Sequence, residues 1–293
     1  MARILCIGIA TLDIVNEVAS YPHEDEEIRI LSQEKHRGGN ATNTAVILSR
    51  LGHQCNWAGT LVDSLADKSD SQTILNDLKH NQINYDHCLF MPHGKVPTSY
   101  ITLCRDTGSR TICHYRDLPE YNFQAFKKIN LHTFNWLHFE GRNIDQTRQM
   151  MAYSKKHYPD IPISIEIEKP RDGIESLIQY AKTILFSRHY AQAKGYNDAK
   201  SFCQSISQQY PETTIVCAWG DSGAGASFNQ KFYWQDAEKI QAVDTLGAGD
   251  VFNAGIIDHQ LKQFNIQNCL IYACQLAASK CAQKGLLYSH IIK

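Results

Sequence analysis

The stretch Asp244-Thr245-Leu246-Gly247-Ala248-Gly249-Asp250 sets two carboxylates around two glycines and an alanine. Ile240 to Val243 before it reads as the end of an extended run, and an apolar run, Val251 to Ile257, follows at once and reads as a helix. A glycine turn at a helix start leaves backbone N–H groups unpaired, with the positive end of the helix dipole behind them, and small side chains let an anion come close. Phosphoryl transfer uses such a set: fixed N–H donors stabilise charge on the transferred group while a neighbouring carboxylate takes the proton of the attacking hydroxyl. Asp250 alone would be an ordinary helix cap. A cap does not account for Asp244, Thr245 and both glycines beside it. No Lys-Ser/Thr follows the glycines, so this is not a P-loop, and the spacing and late position exclude a dinucleotide fingerprint.

A second group lies early in the chain. Asp13 closes a strand-like run, and Gly38-Gly39-Asn40 opens a predicted helix, Asn40 to Leu51, that carries Asn43 on its first turn. Carboxylate and amide groups of this kind accept and donate in fixed directions, which suits a polyol. The plain alternatives are a turn with an N-cap for Gly38 to Asn40 and a strand-end cap for Asp13. Trp219-Gly220 and Gly223 come at the end of another strand-like run.

The elements that must hold these groups follow the rhythm of an α/β fold. Apolar runs at 135–141, 161–168, 182–187 and 213–219 alternate with amphipathic stretches at 146–157, 173–181 and 199–209. This predicts a mostly parallel sheet covered by helices on both faces, one domain spanning residues 1–293. Two segments break the rhythm, roughly 13–37 and 96–116. They read as strands, with a hairpin at Asp106-Thr107-Gly108-Ser109, and are expected to form a small β lid or a subunit contact.

The chain has 293 residues, 43% of them hydrophobic, and a formal net charge of −1, so no strong field draws it to nucleic acid or an anionic membrane. None of the ten cysteines forms a Cys-x-x-Cys pair, and most sit in apolar patterns. Buried thiols in a reducing cytoplasm are expected, rather than disulfides or a zinc site. The apolar N-terminal run is short and ends at Asp13, so it reads as a buried strand, and no stretch approaches the ~20 apolar residues of a membrane span.

Two separated motifs carry a family resemblance. DTLGAGDVFNAG (244–255) resembles the C-terminal signature of the ribokinase-like carbohydrate kinases, and RGGNATNTAVILSRLG (37–52) their N-terminal signature. YPHEDEEIRILSQ, GSRTI, WLHFEGRN, EIEKPRDGIESL and VCAWGDSGA narrow the likeness to the ketohexokinase branch, over residues 3 to 285. The resemblance implies a three-layer α/β/α fold and ATP-dependent phosphorylation of a ketose, most directly fructose to fructose 1-phosphate, with another sugar or a nucleoside as the alternative acceptor. A non-catalytic sensor is disfavoured by the intact Asp250.

Carried over by residue, the resemblance makes Asp250 the base and Gly247, Ala248 and Gly249 the anion hole. Asp13, Gly39, Asn40 and Asn43 would hold the sugar, and Arg110 would face sugar and phosphoryl group, against the alternative of a solvated hairpin charge. Asp25 would reach a partner's sugar through a homodimer clasped by the lids, or else be one more charge in an acidic run. Asp244, Thr245, Trp219, Gly220, Gly223, Asn253 and Cys274 would serve the nucleotide, with Mg2+ accompanying ATP and room for a monovalent cation such as K+. The chain departs from the family at Ser187-Arg188-His189-Tyr190, at Gly59 to Asp70, and in its C-terminal residues 284–293.

Overall fold

Ile4, Leu5 and Cys6 are fully buried in succession, the mark of a strand covered on both faces. The computed structural model describes residues 1–63 and 68–286, so the predicted departures fall partly outside the described residues, at 64–67 and 287–293. In chain order the first half comprises β1 (Arg3–Ile7), β2 (Thr11–Val18), β3 (Ser32–Gly38), α1 (Asn40–Arg50), β4 (Gln54–Ala58), β5 (Thr60–Val62), α2 (Lys68–His80), β6 (Leu89–Met91), β7 (Thr98–Cys104) and β8 (Arg110–Tyr115). The second half comprises α3 (Phe123–Phe126), β9 (Trp136–Glu140), α4 (Ile144–His157), β10 (Ile163–Ile167), β11 (Thr183–Ser187), α5 (Arg188–Ala193), α6 (Ala199–Gln209), β12 (Thr214–Ala218), β13 (Gly223–Phe228), β14 (Lys231–Asp236), α7 (Ala248–Leu261) and α8 (Ile266–Cys281).

Eight strands form the main sheet in the order β14-β13-β12-β11-β10-β9-β1-β4. Its neighbours pair in parallel from β4 to β12, and only β13 is reversed, pairing antiparallel with β12 and with β14. Alternation along β1 sorts the layers. Ile4 and Cys6 join the apolar cluster that includes α1, α7 and α8, whereas Leu5 and Ile7 join the one that includes α4 and α6. The expected α/β architecture, helices over both faces of a mostly parallel sheet, is what forms.

A smaller sheet, β3-β2-β7-β8, stands apart. Its register sets His36, Asp13, Ser99 and His114 in one row across the four strands. Residues in one row share a face, so Asp13 and His114 look the same way.

Three local expectations need correction. Residues 173–181 form a 3-10 helix, Ile174–Tyr180, rather than an amphipathic α-helix. Ile240 to Val243 is a loop: the chain leaves the sheet edge after β14, and Val243 is 64% exposed. Helix α7 starts at Ala248, so the glycines form its first turn; Gly247, at φ +77°, takes the left-handed conformation that a side chain would strain. All ten cysteines are unpaired, and seven are buried; Cys113 is exposed, while Cys88 and Cys281 are half-buried. Among the described residues, no helix is long and apolar enough to cross a membrane.

Candidate active site

The parallel strands end at one edge of the sheet, where open α/β folds bind ligands. Glu140 ends β9, Glu168 follows β10, Ser187 ends β11, and Trp219 follows β12. Helix α7 brings Asp250 to this edge and α1 brings Asn40 and Asn43.

Asp250 is 6% exposed. The Asn43 Nδ2 donates to its Oδ2 at 2.7 Å, and Oδ1 has no partner among the described residues. The Arg37 guanidinium donates from Nη1 to Asn43 Oδ1 at 2.7 Å and to Thr42 Oγ1 at 2.9 Å, and it also pairs with Asp77. This fixes the orientation of the Asn43 amide, because the guanidinium cannot accept. Burial raises the Asp250 carboxyl to about 8; the Asn43 bond opposes that rise, the Glu168 and Glu140 carboxylates add to it, and Arg37 opposes it. A carboxyl so placed can take a proton near neutral pH.

Beside it, the turn carries the expected donors with one exception. The Ala248 N–H leans on the Thr245 carbonyl at 3.3 Å, whereas those of Gly247, Gly249 and Asp250 have no partner among the described residues. Where a Cβ would stand on Gly249 no atom of the described residues lies within 4 Å, so they leave the turn uncovered at that point. An oxyanion fits there, aided by the dipole of a 14-residue helix.

Asp13 is half-buried in β2, and Thr11 Oγ1 donates to its Oδ1 at 2.9 Å. A Cβ on Gly38 would come within 2.1 Å of Asp13 Oδ2, so this glycine leaves the carboxylate its place. Gly39, at φ +107°, caps α1 and starts Asn40 toward the site. Asn40 Nδ2 lies 3.4 Å from Glu168 Oε2.

A cavity of about 530 Å3 abuts this region, bounded by Gly220, Gly223, Thr245, Gly249, Phe252 and Cys274. Its size and largely apolar lining suit a heterocyclic base, and Thr245 and Gly249 join it to the anion turn. Burial pushes the Cys274 thiol up to about 12, so it acts as an apolar wall.

Several predicted positions are spent otherwise. Both ends of the Asn43 amide are engaged, by Asp250 and by Arg37. Asn253 donates to Glu166 Oε1 at 3.0 Å and does not line the cavity, because a buried carboxylate needs a donor. Asp244 is tied to Lys280. Trp219 does not line the cavity; its N–H closes the turn on the Gly223 carbonyl at 2.8 Å. Arg110 lies on the Asp13 face of the small sheet, but four residues beyond His114, roughly 13 Å along the strand. It is exposed and makes no ion pair among the described residues, as does Asp25, at φ +62°.

The residue reading missed Arg37, Glu140, Glu166 and Glu168. Glu166 is buried with Oε2 unpartnered among the described residues, and burial, then Asp250, raises its carboxyl well above the usual range. The available signal was an acid at or just beyond the C-terminal end of a buried parallel strand, visible in WLHFEG and IPISIEIE.

A family model described as pfkB family carbohydrate kinase matches residues 1–291. The chain is 34% identical to ketohexokinase of Mus musculus over 97% of both chains. It is 25% identical to ribokinase of Bacillus subtilis, covering 95% of this chain and 92% of that one. Among solved structures, a ribokinase of Arabidopsis thaliana complexed with ribose and ATP superposes with a TM-score of 0.79 at 16% identity, covering 97% of this chain and 94% of that one.

Proposed function

Because this chain belongs to the pfkB family of carbohydrate kinases and is an ATP-dependent sugar kinase, we propose that its acceptor is a ketose, most directly D-fructose converted to fructose 1-phosphate. The observation that carries the reading is the meeting, at one sheet edge, of the buried Asp250 carboxylate and unpaired N–H groups on one helix turn. The likeness to mouse ketohexokinase over 97% of both chains directs it to a ketose.

In this reading Asp13 and Asn40 hold the sugar hydroxyls. Asp250 takes the proton of the attacking primary hydroxyl at its free Oδ1, while Asn43 and Arg37 hold the carboxylate from the other side. The N–H groups of Gly249 and Asp250 stabilise charge on the transferred phosphoryl group, and the cavity from Gly220 to Cys274 takes adenosine. Mg2+ would fit the wall of Glu166 and Glu168, since Glu166 Oε2 is buried with no partner among the described residues, and it would neutralise phosphate charge. The ten unpaired thiols support a reducing, cytoplasmic setting.

Comparing kcat/KM for fructose, tagatose, xylulose, ribose and adenosine tests the acceptor. A preference for a ketohexose is expected; a preference for ribose or adenosine would move the enzyme to a sister activity, which the match to a ribokinase favours. Asp13→Ala should raise the ketose KM by roughly 10–100-fold, the worth of a charge-assisted hydrogen bond, with ATP KM unchanged. An unchanged ketose KM would take Asp13 out of the pocket.

We further propose that the small sheets of two copies clasp. Ile112 is 48% exposed on the Asp13 face, and Asp25 would then point toward a partner. Sedimentation should give a dimer, and a monomer at working concentration would remove the clasp.

A further inference from the structure

Lys280 is fully buried on α8, and a buried ammonium is expensive unless oxygen atoms replace its water. Its Nζ lies 2.6 Å from the backbone oxygen of Asp244 and 2.8 Å from Asp244 Oδ2. Asp244 is the first residue of the anion turn, and its carboxylate holds the turn in two further places. Leu246 N–H donates to Oδ1 and Gly285 N–H to Oδ2, both at 2.9 Å. The N–H of Val243 meets the Cys281 carbonyl at 2.7 Å, so the end of α8 grips the chain just before the turn. Burial would raise the Asp244 carboxyl, but the Lys280 ammonium and these N–H donors outweigh it and keep the carboxylate charged.

A monovalent cation supporting this turn would need carbonyl and carboxylate oxygens behind it. At Asp244 the ammonium already meets the backbone oxygen and Oδ2, and Oδ1 accepts from the Leu246 N–H. We propose that Lys280 is the built-in cation of the phosphate-binding turn: through Asp244 it holds the Gly247 to Asp250 N–H groups in place, and turnover needs no dissociable K+. Lys280 touches neither substrate and is a positioning residue. The inference rests on the kinase reading but not on which acceptor is used.

The test measures kcat of the full chain with Mg-ATP and its best acceptor in K+, Na+ or tetramethylammonium salts at equal ionic strength. In parallel, the affinity for a non-hydrolysable ATP analogue is measured by calorimetry in the same salts. Wild type should give one kcat and one affinity throughout. Lys280→Ala should lose roughly 10²-fold in kcat, as displaced catalytic groups do, and recover part of it with K+, ammonium or methylammonium but not tetramethylammonium. A severalfold rise of wild-type kcat or analogue affinity with K+ would overturn the proposal, as would a Lys280→Ala enzyme of normal kcat or one whose loss no small cation relieves. If Lys280→Ala does not fold, the wild-type salt series still decides. If no acceptor is turned over in any salt, the kinase reading fails, and the analogue affinities still report on Lys280.

Discussion

Asp250→Asn is expected to lower kcat by roughly 10²–10⁴, the usual worth of a general base, while leaving ATP affinity near its wild-type value. The amide fills the same space and can still accept from Asn43, but it cannot take a proton. Asp250 also sets a pH dependence. Its carboxyl stands at about 8 through burial, opposed by the Asn43 bond, so kcat/KM for the acceptor should rise with pH to a midpoint near that value, and the rise should vanish in Asp250→Asn. Stability has the opposite sign. A carboxyl raised by folding favours the protonated native state, so ionising it loses stability as pH climbs from about 4, the unfolded value, toward about 8. At pH 8 and above, Asp250→Asn should therefore melt no lower than wild type. A variant with near-normal kcat would remove Asp250 from the chemistry, and one that melted well below wild type would make its loss a folding effect.

Asp258→Ala is expected to cost about 3–5 kcal/mol of stability, as when one partner of a buried ion pair is removed. Asp258 is fully buried two turns beyond Asp250 on α7. Its Oδ1 accepts from His53 Nε2 at 2.9 Å, and Lys262 Nζ and His259 Nδ1 lie within 2.9 Å of Oδ2. His53 accepts the Ala2 N–H at Nδ1, which leaves Nε2 as its donor. Burial alone would raise the Asp258 carboxyl, but the bonds from His53, Lys262 and His259 prevail and hold it below the usual range. A lowered carboxyl contributes stability above its unfolded value, about 4, and loses it as pH falls through the folded value. The melting temperature of Asp258→Ala should fall by roughly 5–15 °C at neutral pH, and the gap should narrow on acidification toward pH 3. A fall below about 2 °C would mean that the cluster is already solvated. Turnover per folded molecule should change little, because this network lies at the far end of α7 from the turn.

The parts of the site legible in the sequence were those written in consecutive residues. Glycines, a helix start and Asp250 stand within one turn, so spacing alone located the turn. The four-strand sheet was traceable from two stretches lacking a covering helix. What spacing could not convey is which partner a polar side chain meets across the fold. Asn43 and Asn253 have the residue types of ligand contacts, yet both are committed to carboxylates brought from 207 and 87 residues away. Glu140, Glu166 and Glu168 sit inside apolar runs, where periodicity reports burial and is silent about the shared edge. Lys280 reads as one more charge near a helix end, and only packing against Asp244 reveals its burial. The extended reading of Ile240 to Val243 failed because local apolarity does not supply a sheet neighbour.

The central claim, transfer of the ATP γ-phosphoryl group to the C1 hydroxyl of a ketose with Asp250 as base, is tested most directly by carbon and phosphorus NMR of the product made from fructose and Mg-ATP. The account expects one new phosphate ester coupled to C1, formed by wild type and nearly absent with Asp250→Asn. A phosphate on another carbon, release of inorganic phosphate alone, or equal product from Asp250→Asn would contradict it.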